Sequence, residues 1–447
     1  MCGILITTRP GLEKKLSHRG LCCNRLSYCD YAGHITAIHH WLPIQTEIGV
    51  DEPQPFVLRD GSILLYNGEI FNYPKAYPSD SAYLKALFEY KDMHNIIEEA
   101  NKWDGFWSIV YITDGGWTYC LTDPLGKKQL YYNTQGEICS EIRPLLTPES
   151  KMDLLFRSSV MKWGYNRDDR TPWQDIKRIL PNRVYIFNSG VPYSVRPADY
   201  YDWSRKPETT DLYEALFTSV ERRLVTRKEK IASLISGGLD SSIIACLLEE
   251  IGQSVSYYTT DNLDDQFYVK ELSEALGISP QLIHYDMDLS LEDSLEWNET
   301  PIDLGSLVPQ HKLMSSVKER IVLTGDGADE LFGGYSRINQ YDSQQSDIFE
   351  ELTYYHLPRL DRASMRYTIE MRNPFLSHDV VKIALATPFF ERKHKKILKD
   401  LFKGKIPSSI INRPKIPLKN DEIRKDPMSY RNKIMHVFYN LFKNYQI

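Results

Sequence analysis

Residues 230–244, reading KIASLISGGLDSSII, limit most sharply what this chain can fold into. Ile231, Leu234 and Ile235 read as a short buried strand, and Ser236, Gly237 and Gly238 as a tight turn. Asp240, Ser241 and Ser242 then open a helix whose apolar residues are Ile243, Ile244, Leu247 and Leu248, ending at the C′ glycine Gly252. Strand, glycine turn and helix start make an anion site. Glycines let backbone N–H groups point inward, the helix dipole favours negative charge, and the hydroxyls of Ser236, Ser241 and Ser242 add donors. No Gly-Lys-Ser/Thr follows, so this is not a Walker A loop. A tight loop bearing Asp240 suits a metal-bound pyrophosphate better than a transferred γ-phosphate. The competing view is an ordinary βα turn with a capping serine. The coincidence of paired glycines, hydroxyls and a carboxylate in one turn favours the anion site.

Strands and helices alternate around this stretch. A helix is expected over 212–224 before the strand 231–235, then a strand over 255–260, a helix over 267–276 ending at Gly277, and a strand over 281–285. A helix over 309–318 and a strand over 321–324 follow. This alternation predicts a parallel sheet covered on both faces, with ligands at the carboxyl ends of its strands. The ends 234–236, 259–260 and 324–326 should therefore converge. From residue 347 onward the pattern is mostly helical, with a basic stretch over 393–419.

The first 200 residues have another character. Strands are expected at 1–8, 34–41, 62–67, 106–112, 117–122, 129–133, 138–141 and 184–187, separated by turn signals such as Asp114-Gly115-Gly116. One helix interrupts them, capped by Ser79 or Asp80, with Leu84, Leu87 and Phe88 as its apolar stripe. Such a region suggests an α+β layered domain. Polar residues over 203–210 form the linker between the two parts.

Composition narrows the setting. The formal net charge of −6 argues against nucleic acid as a main partner. Arg9, Lys14 and Lys15 interrupt the start of the chain, so no secretory leader is expected. No apolar run nears the ~18 residues a membrane helix needs. Of seven cysteines only Cys22, Cys23 and Cys29 cluster, without C-x2-C spacing. Free thiols are expected there rather than a zinc site with His18, and the location is expected to be cytoplasmic.

Three features carry chemistry. Cys2, once Met1 is removed, places a thiol beside its own α-amine, whose near-neutral pKa lets it act as base. Taken alone, Cys2 is more often just a small buried residue. Asn67-Gly68-Glu69, expected at a strand end, offers a side-chain amide and a glycine N–H as an oxyanion hole. The carboxylates of Glu69 and Asp80 could hold a substrate ammonium, although Asn-Gly alone reads as a hairpin turn. Third, the stretch 322–335 reads VLTGDGADELFGGY, a strand entering a glycine turn with Asp326, Asp329 and Glu330. Beside phosphates such carboxylates bind Mg²⁺ or act as base; otherwise they form an acidic surface turn.

Together these pieces resemble the glutamine-hydrolysing asparagine synthetase family, over nearly the whole chain. The matching motifs in the first part are Cys2-Gly3, His18-Arg19-Gly20, Asn67-Gly68-Glu69, Ser79-Asp80, Asp123-Pro124-Leu125-Gly126 and Ser140-Glu141. In the second part they are Ser236–Ser242, Gly325–Tyr335, Asp361–Met365, Glu370–Leu376 and Arg413-Pro414-Lys415. The resemblance implies an α+β N-terminal-nucleophile hydrolase sandwich at 1–202, a class II glutamine amidotransferase domain. An α/β parallel-sheet ATP-pyrophosphatase domain would follow at 203–447. It implies that Cys2 attacks the glutamine amide, that Asn67 and Gly68 stabilise the oxyanion, and that Glu69 and Asp80 hold the amino-acid end. Ammonia then crosses an internal, mostly apolar tunnel. In the second site aspartate attacks the α-phosphorus of ATP, giving β-aspartyl-AMP and then asparagine, AMP and pyrophosphate. The implied ATP and pyrophosphate residues are Leu234, Ser236, Gly237, Gly238, Asp240, Ser241, Ser242, Thr259, Thr324 and Gly325. Mg²⁺ would sit on Asp240 and Asp329, with Asp326 as base and Lys415 neutralising charge. Glu370 and Arg372 would pack or orient the loop. Small-molecule substrates are the implied partners, and a homodimer is the assembly to test.

The chain departs from the family pattern in places. Asp326 stands where the best-known members carry Glu. Aligning His39-His40-Trp41-Leu42 with the family's His-x-Arg-Leu puts Trp41 where an arginine holds the glutamine α-carboxylate. Leu21 and Cys22 replace a proline and aspartate, and Thr122 an arginine. Two other readings stand beside the first. One is a synthetase adenylating a different acid, as β-lactam synthetases and peptide-modifying relatives do; Cys2 counts against the β-lactam branch. The other is a catalytically silent homologue, against which the intact loop, Asp329 and Lys415 count.

Overall fold

The computed structural model describes residues 2–30, 33–44, 53–188, 191–195, 200–224, 230–284, 290–302, 305–335, 350–414 and 425–443. Among the described residues, two antiparallel six-stranded sheets and one parallel five-stranded sheet form the frame. From edge to edge the first sheet holds Ile176–Arg178, Tyr131–Asn133, Ile138–Cys139, Gly3–Thr7, Gly33–Trp41 and Cys22–Asp30. The second holds Val191–Val195, Val184–Asn188, Trp117–Thr122, Gly105–Ile112, Ile63–Ile70 and Phe56–Val57.

Strand side chains alternate between faces, and this period builds three layers of core. Ile4, Ile6 and Ala37 of the first sheet meet Ile63, Leu65, Val110 and Ile112 of the second. On the second sheet's other face, Tyr66, Trp107 and Ile109 pack against Leu84 and Phe88 of helix Asp80–Tyr90 and Ile96 of helix Met93–Ala100. Leu5 and Ile38 look outward from the first sheet. They share a cluster with Leu295 of helix Leu291–Asn298 and with the C-terminal helix Pro427–Lys443. That last helix presents Tyr430, Ile434, Phe438 and Phe442, a stripe spaced every fourth residue. The end of the chain thus covers the beginning.

The parallel sheet runs Gln281–Ile283, Val255–Thr260, Ile231–Leu234, Ile321–Leu323 and Glu370–Arg372. In chain order this is 3-2-1-4-5, so the direction of crossover reverses between Ile231–Leu234 and Ile321–Leu323. A crevice opens at such a switch point, beyond the carboxyl ends of the strands. The expected convergence of the three strand ends follows from this order.

Several expectations are corrected. Asn67-Gly68-Glu69 lies inside strand Ile63–Ile70, not at its end, with Gly68 opposite Trp107. A Cβ on Gly68 would stand 2.1 Å from the Phe106 carbonyl oxygen, so the glycine serves close strand approach and not a turn. Cys22–Asp30 is a strand that went unforeseen. It is an edge strand whose odd positions Cys23, Arg25 and Ser27 are exposed, so few apolar residues mark it. Cys22 and Cys23 are free thiols on it, and no group of three metal-ligating side chains exists among the described residues. The first part holds further helices besides the expected one, among them Met93–Ala100 and Leu154–Trp163, capped by Asp92 and Asp153. The second part has the unforeseen strand Glu370–Arg372. Met1, Tyr285 and Lys415 fall outside the described residues. Among the described residues no helix is long and apolar enough to cross a membrane.

Candidate active sites

Cys2 is buried at the head of strand Gly3–Thr7, which lies between Gly33–Trp41 and Ile138–Cys139. Its backbone N–H donates to Asn67 Oδ1 at 2.9 Å. That bond fixes the Asn67 amide and leaves Nδ2 buried without a hydrogen-bond partner. An orphaned buried donor costs about 1–3 kcal/mol, and native structures keep few of them. One beside a thiol is suited to an oxyanion that forms only during reaction. Burial pushes the Cys2 thiol up, while the positive chain terminus pulls it down.

Two buried carboxyls adjoin this point. Burial, then the neighbouring Glu370 and Asp80, hold Glu69 well above the usual carboxylate range. Asp80 opens helix Asp80–Tyr90, and Ser79, not Asp80, caps it by accepting from Ala82 N at 3.1 Å. Asp80 Oδ2 accepts from Tyr66 Oη at 2.7 Å and from Ile70 N at 3.0 Å. Burial still lifts Asp80 to about 6. A pocket whose acids resist ionisation gains from an incoming cation such as an ammonium.

Trp41 is half-buried, next to His40, which pairs with Gly3. Arg19 is committed: its Nε donates to Cys2 O at 3.0 Å, Nη1 to Glu141 at 2.9 Å and Nη2 to Asp361 at 3.1 Å. Arg25 is exposed on the edge strand, and Arg59 is exposed beside Glu89 and Tyr90. A cation from the other half is closer to the acids: Arg372 Nη2 lies 4.0 Å from Glu69.

Strand Glu370–Arg372 touches both sites. The Arg372 side chain donates to Glu370 at 2.6 Å and to Arg223 O at 2.5 Å, while its carbonyl accepts from Thr324 N at 3.1 Å. Around it the halves are joined by buried charge. Asp361 faces Arg19 and Lys128, and these cations hold its carboxyl well below the usual range although burial alone would raise it. Arg362 joins Glu141 at 3.0 Å to Glu299 at 3.1 Å. Lys127 Nζ donates to Met371 O at 2.5 Å and lies 4.0 Å over the Phe106 ring. These bonds hold Glu370 and Arg372 in place between the two halves.

The second site lies at the switch point. Gly237 takes φ +62°, and a Cβ there would stand 2.6 Å from Tyr268 Cβ. Helix Leu239–Ile251 begins after Gly238 with no side chain capping it, so its first N–H groups face the turn. Ser241 and Ser242 hydroxyls reach Gly238 O at 3.1 and 2.8 Å and brace the loop. Gly325 packs onto this helix start, where a Cβ would stand 2.7 Å from Asp240 Cβ. Thr259 is buried with Oγ1 unpartnered, and Leu234 is half-buried. Asp326 accepts from Thr324 Oγ1 at 2.6 Å, has Arg359 at 3.8 Å, and keeps about a third of its side chain exposed, 34%. Thr324 is itself fixed by Asn373 Nδ2 at 2.8 Å.

Asp240 and Asp329 converge on one cation. Lys395 Nζ lies 2.7 and 2.6 Å from the two Asp240 oxygens and also pairs with Asp329. Two carboxylates that enclose one positive charge form a donor set that fits Mg²⁺, which takes one or two carboxylates and completes its shell with water and phosphate oxygens. Lys395 was missed in sequence, where it is one lysine within a basic run. No local signal marks it.

A family model for asparagine synthase matches residues 211–353 and 341–436, together just over half of the chain. The chain belongs to the asparagine synthase family. It is similar to proteins named probable glutamine-hydrolyzing asparagine synthetase from Acanthamoeba polyphaga mimivirus and Schizosaccharomyces pombe. The first is 24% identical, over 85% of this chain and 76% of that protein; the second is 26% identical, over 90% and 80%. The human glutamine-hydrolyzing asparagine synthetase is 23% identical over 79% of this chain and 71% of its own length. These matches extend over both halves, whereas the family model matches the second alone. The asparagine synthase family fold accounts for the parallel sheet and its glycine loop.

Proposed function

We propose that this protein makes L-asparagine from L-aspartate and ATP, taking nitrogen from glutamine or ammonia. Residues 1–202 then form an N-terminal-nucleophile glutaminase and residues 203–447 the synthetase. The carrying observation is the convergence of Asp240 and Asp329 on one cation position at the switch point, with Gly325 seated against the glycine loop. At the first site the α-amine freed by removal of Met1 takes the Cys2 thiol proton, and the thiolate adds to the glutamine amide carbon. Asn67 Nδ2 and Gly68 N–H receive the oxyanion, and Glu69 and Asp80 hold the substrate ammonium. Collapse releases ammonia, and water returns the acyl group as glutamate.

At the second site Ser236, Gly237, Gly238, Ser241 and Ser242 hold the pyrophosphate end of ATP, and Leu234, Thr259, Thr324 and Gly325 the nucleoside. Mg²⁺, when bound by Asp240 and Asp329, supplies charge neutralisation at the departing pyrophosphate. The aspartate β-carboxylate attacks the α-phosphorus, and ammonia attacks the acyl adenylate carbon. Asp326, held by Thr324, takes the proton that ammonia must lose. Lys415 neutralises the anionic intermediate. ATP–pyrophosphate exchange against a panel of carboxylic acids tests this reading. Exchange is expected with aspartate; exchange that favours another acid, or none, overturns it.

A further inference from the structure

Lys395 reaches the carboxylate pair from an unusual backbone. Both His394 and Lys395 have positive φ, 57° and 59°, and neither is glycine. Consecutive left-handed non-glycine residues cost of order 1–3 kcal/mol each and persist only where the surroundings impose them. Here His394 N and Lys395 N donate to Gly333 O and Phe332 O at 3.0 and 2.8 Å, tying the segment to the end of the acidic turn. Gly334 lies against the same group: a Cβ there would stand 2.5 Å from Lys395 Cε and 1.9 Å from Asp329 Oδ1. Backbone strain, two tethering bonds and a glycine-only contact all serve to set one buried ammonium between Asp240 and Asp329.

From this we infer that Lys395 is a built-in counter-ion occupying the divalent-cation position, so that the metal enters only as its complex with a nucleoside triphosphate. The inference rests on the reading of the loop as an ATP site. With Lys395 in place the two carboxylates carry one net negative charge, and a free divalent ion must displace an ammonium to bind. Triphosphate oxygens give that ammonium another partner, so it leaves the carboxylates as the metal arrives. Lys395 acts through Asp240 and Asp329, as a positioning residue that couples metal to nucleotide binding.

Mn²⁺ binding to the full chain, read by electron paramagnetic resonance with and without α,β-methylene-ATP, tests this. The wild type should bind Mn²⁺ at least about 10-fold more tightly with the nucleotide present than alone. Lys395→Met should bind Mn²⁺ alone about 10-fold more tightly than wild type and lose most of the nucleotide effect. Unchanged nucleotide-free affinity in Lys395→Met overturns the inference while leaving the ATP site standing. If that variant does not fold, the wild type decides: micromolar Mn²⁺ binding without nucleotide, no tighter with it, also overturns the inference. A wild type that binds no Mn²⁺ even with the nucleotide overturns the ATP reading and this inference with it.

Discussion

The site around Cys2 lies within sheets, while the site around Asp240 is made of turns and helix starts beyond strand ends. The contrast goes with charge. In the first, Glu69 and Asp80 are buried, and burial lifts both carboxyls. In the second, the half-buried Asp240 and Asp329 stay paired with a buried lysine. A zwitterionic amino acid brings its own cation, which a low-dielectric pocket with reluctant acids can reward. A metal-bound triphosphate is large and highly charged. It needs backbone donors on loops and charges that can rearrange. On the proposed function, the two sites differ in the electrostatic demand of their ligands as much as in the fold that carries them.

The strongest test of the contrast is double dissociation. Cys2→Ala should lower glutamine-supported synthesis by roughly 10³-fold or more, leaving ammonia-supported synthesis within about twofold. Asp240→Asn should do the converse, lowering ATP–pyrophosphate exchange by about 10²-fold while glutamine hydrolysis persists. Either variant damaging both activities equally would mean that the halves do not work as separate sites.

Asp361→Asn probes what joins them. It removes the charge that faces Arg19 and Lys128, all three buried. Taking this carboxylate away from the two buried cations should cost about 3 kcal/mol in denaturant titration. A loss below about 1 kcal/mol would show that this cluster is not what holds the halves together.

Trp41→Arg concerns the glutamine pocket alone. An indole offers one neutral donor, whereas a guanidinium gives a carboxylate two charge-assisted bonds. The variant should lower the glutamine Michaelis constant about 10-fold, from a high wild-type value, with ammonia kinetics unchanged. A tight wild-type constant with no gain in the variant would point to another cation, such as Arg372, whose Nη2 lies 4.0 Å from Glu69.

The smallest effect is in pH. Asp80 has a folded value of about 6 against a reference of 3.8. It must be ionised to hold an ammonium, so the glutamine Michaelis constant should rise severalfold as pH falls through about 6. The sign for stability is the reverse. A raised carboxyl contributes stability that is fully present below the reference value and is lost as pH rises through the folded one. Asp80→Asn should therefore gain on wild type at pH 8 relative to pH 4. A flat Michaelis constant across pH 5–8 would remove Asp80 from the pocket.

The glycine loop was legible because its chemistry is local. Strand, turn and helix start are consecutive, and alternation of elements points to a parallel sheet, whereas its 3-2-1-4-5 order comes from the structure. Cys2, Asn67, Glu69 and Asp80 are joined in the sequence only by the family resemblance, not by spacing or periodicity. Their proximity depends on Gly3–Thr7 and Ile63–Ile70 lying in separate sheets, which only packing brings together. The sequence places Asn67-Gly68-Glu69 at the end of a strand over 62–67, with a hairpin turn as the competing view. In the protein a tight approach to Phe106 requires the glycine instead. The edge strand Cys22–Asp30 carries little apolar pattern, since Cys23, Arg25 and Ser27 meet solvent.

By itself the sequence determined the class of each half, the anion loop, the nucleophile candidate and the family resemblance, since each rests on neighbouring residues and their period. Tertiary structure alone decided that Arg372 reaches Glu69, that Asp361 clamps Arg19 and Lys128, and that Lys395 lies between Asp240 and Asp329. Lys395 is 155 residues from Asp240 along the chain, and Asp361 is 342 from Arg19. Electrostatic pairing over such separations leaves no periodicity or spacing in the sequence, because a buried charge is satisfied by whatever the folded chain brings within a few ångströms.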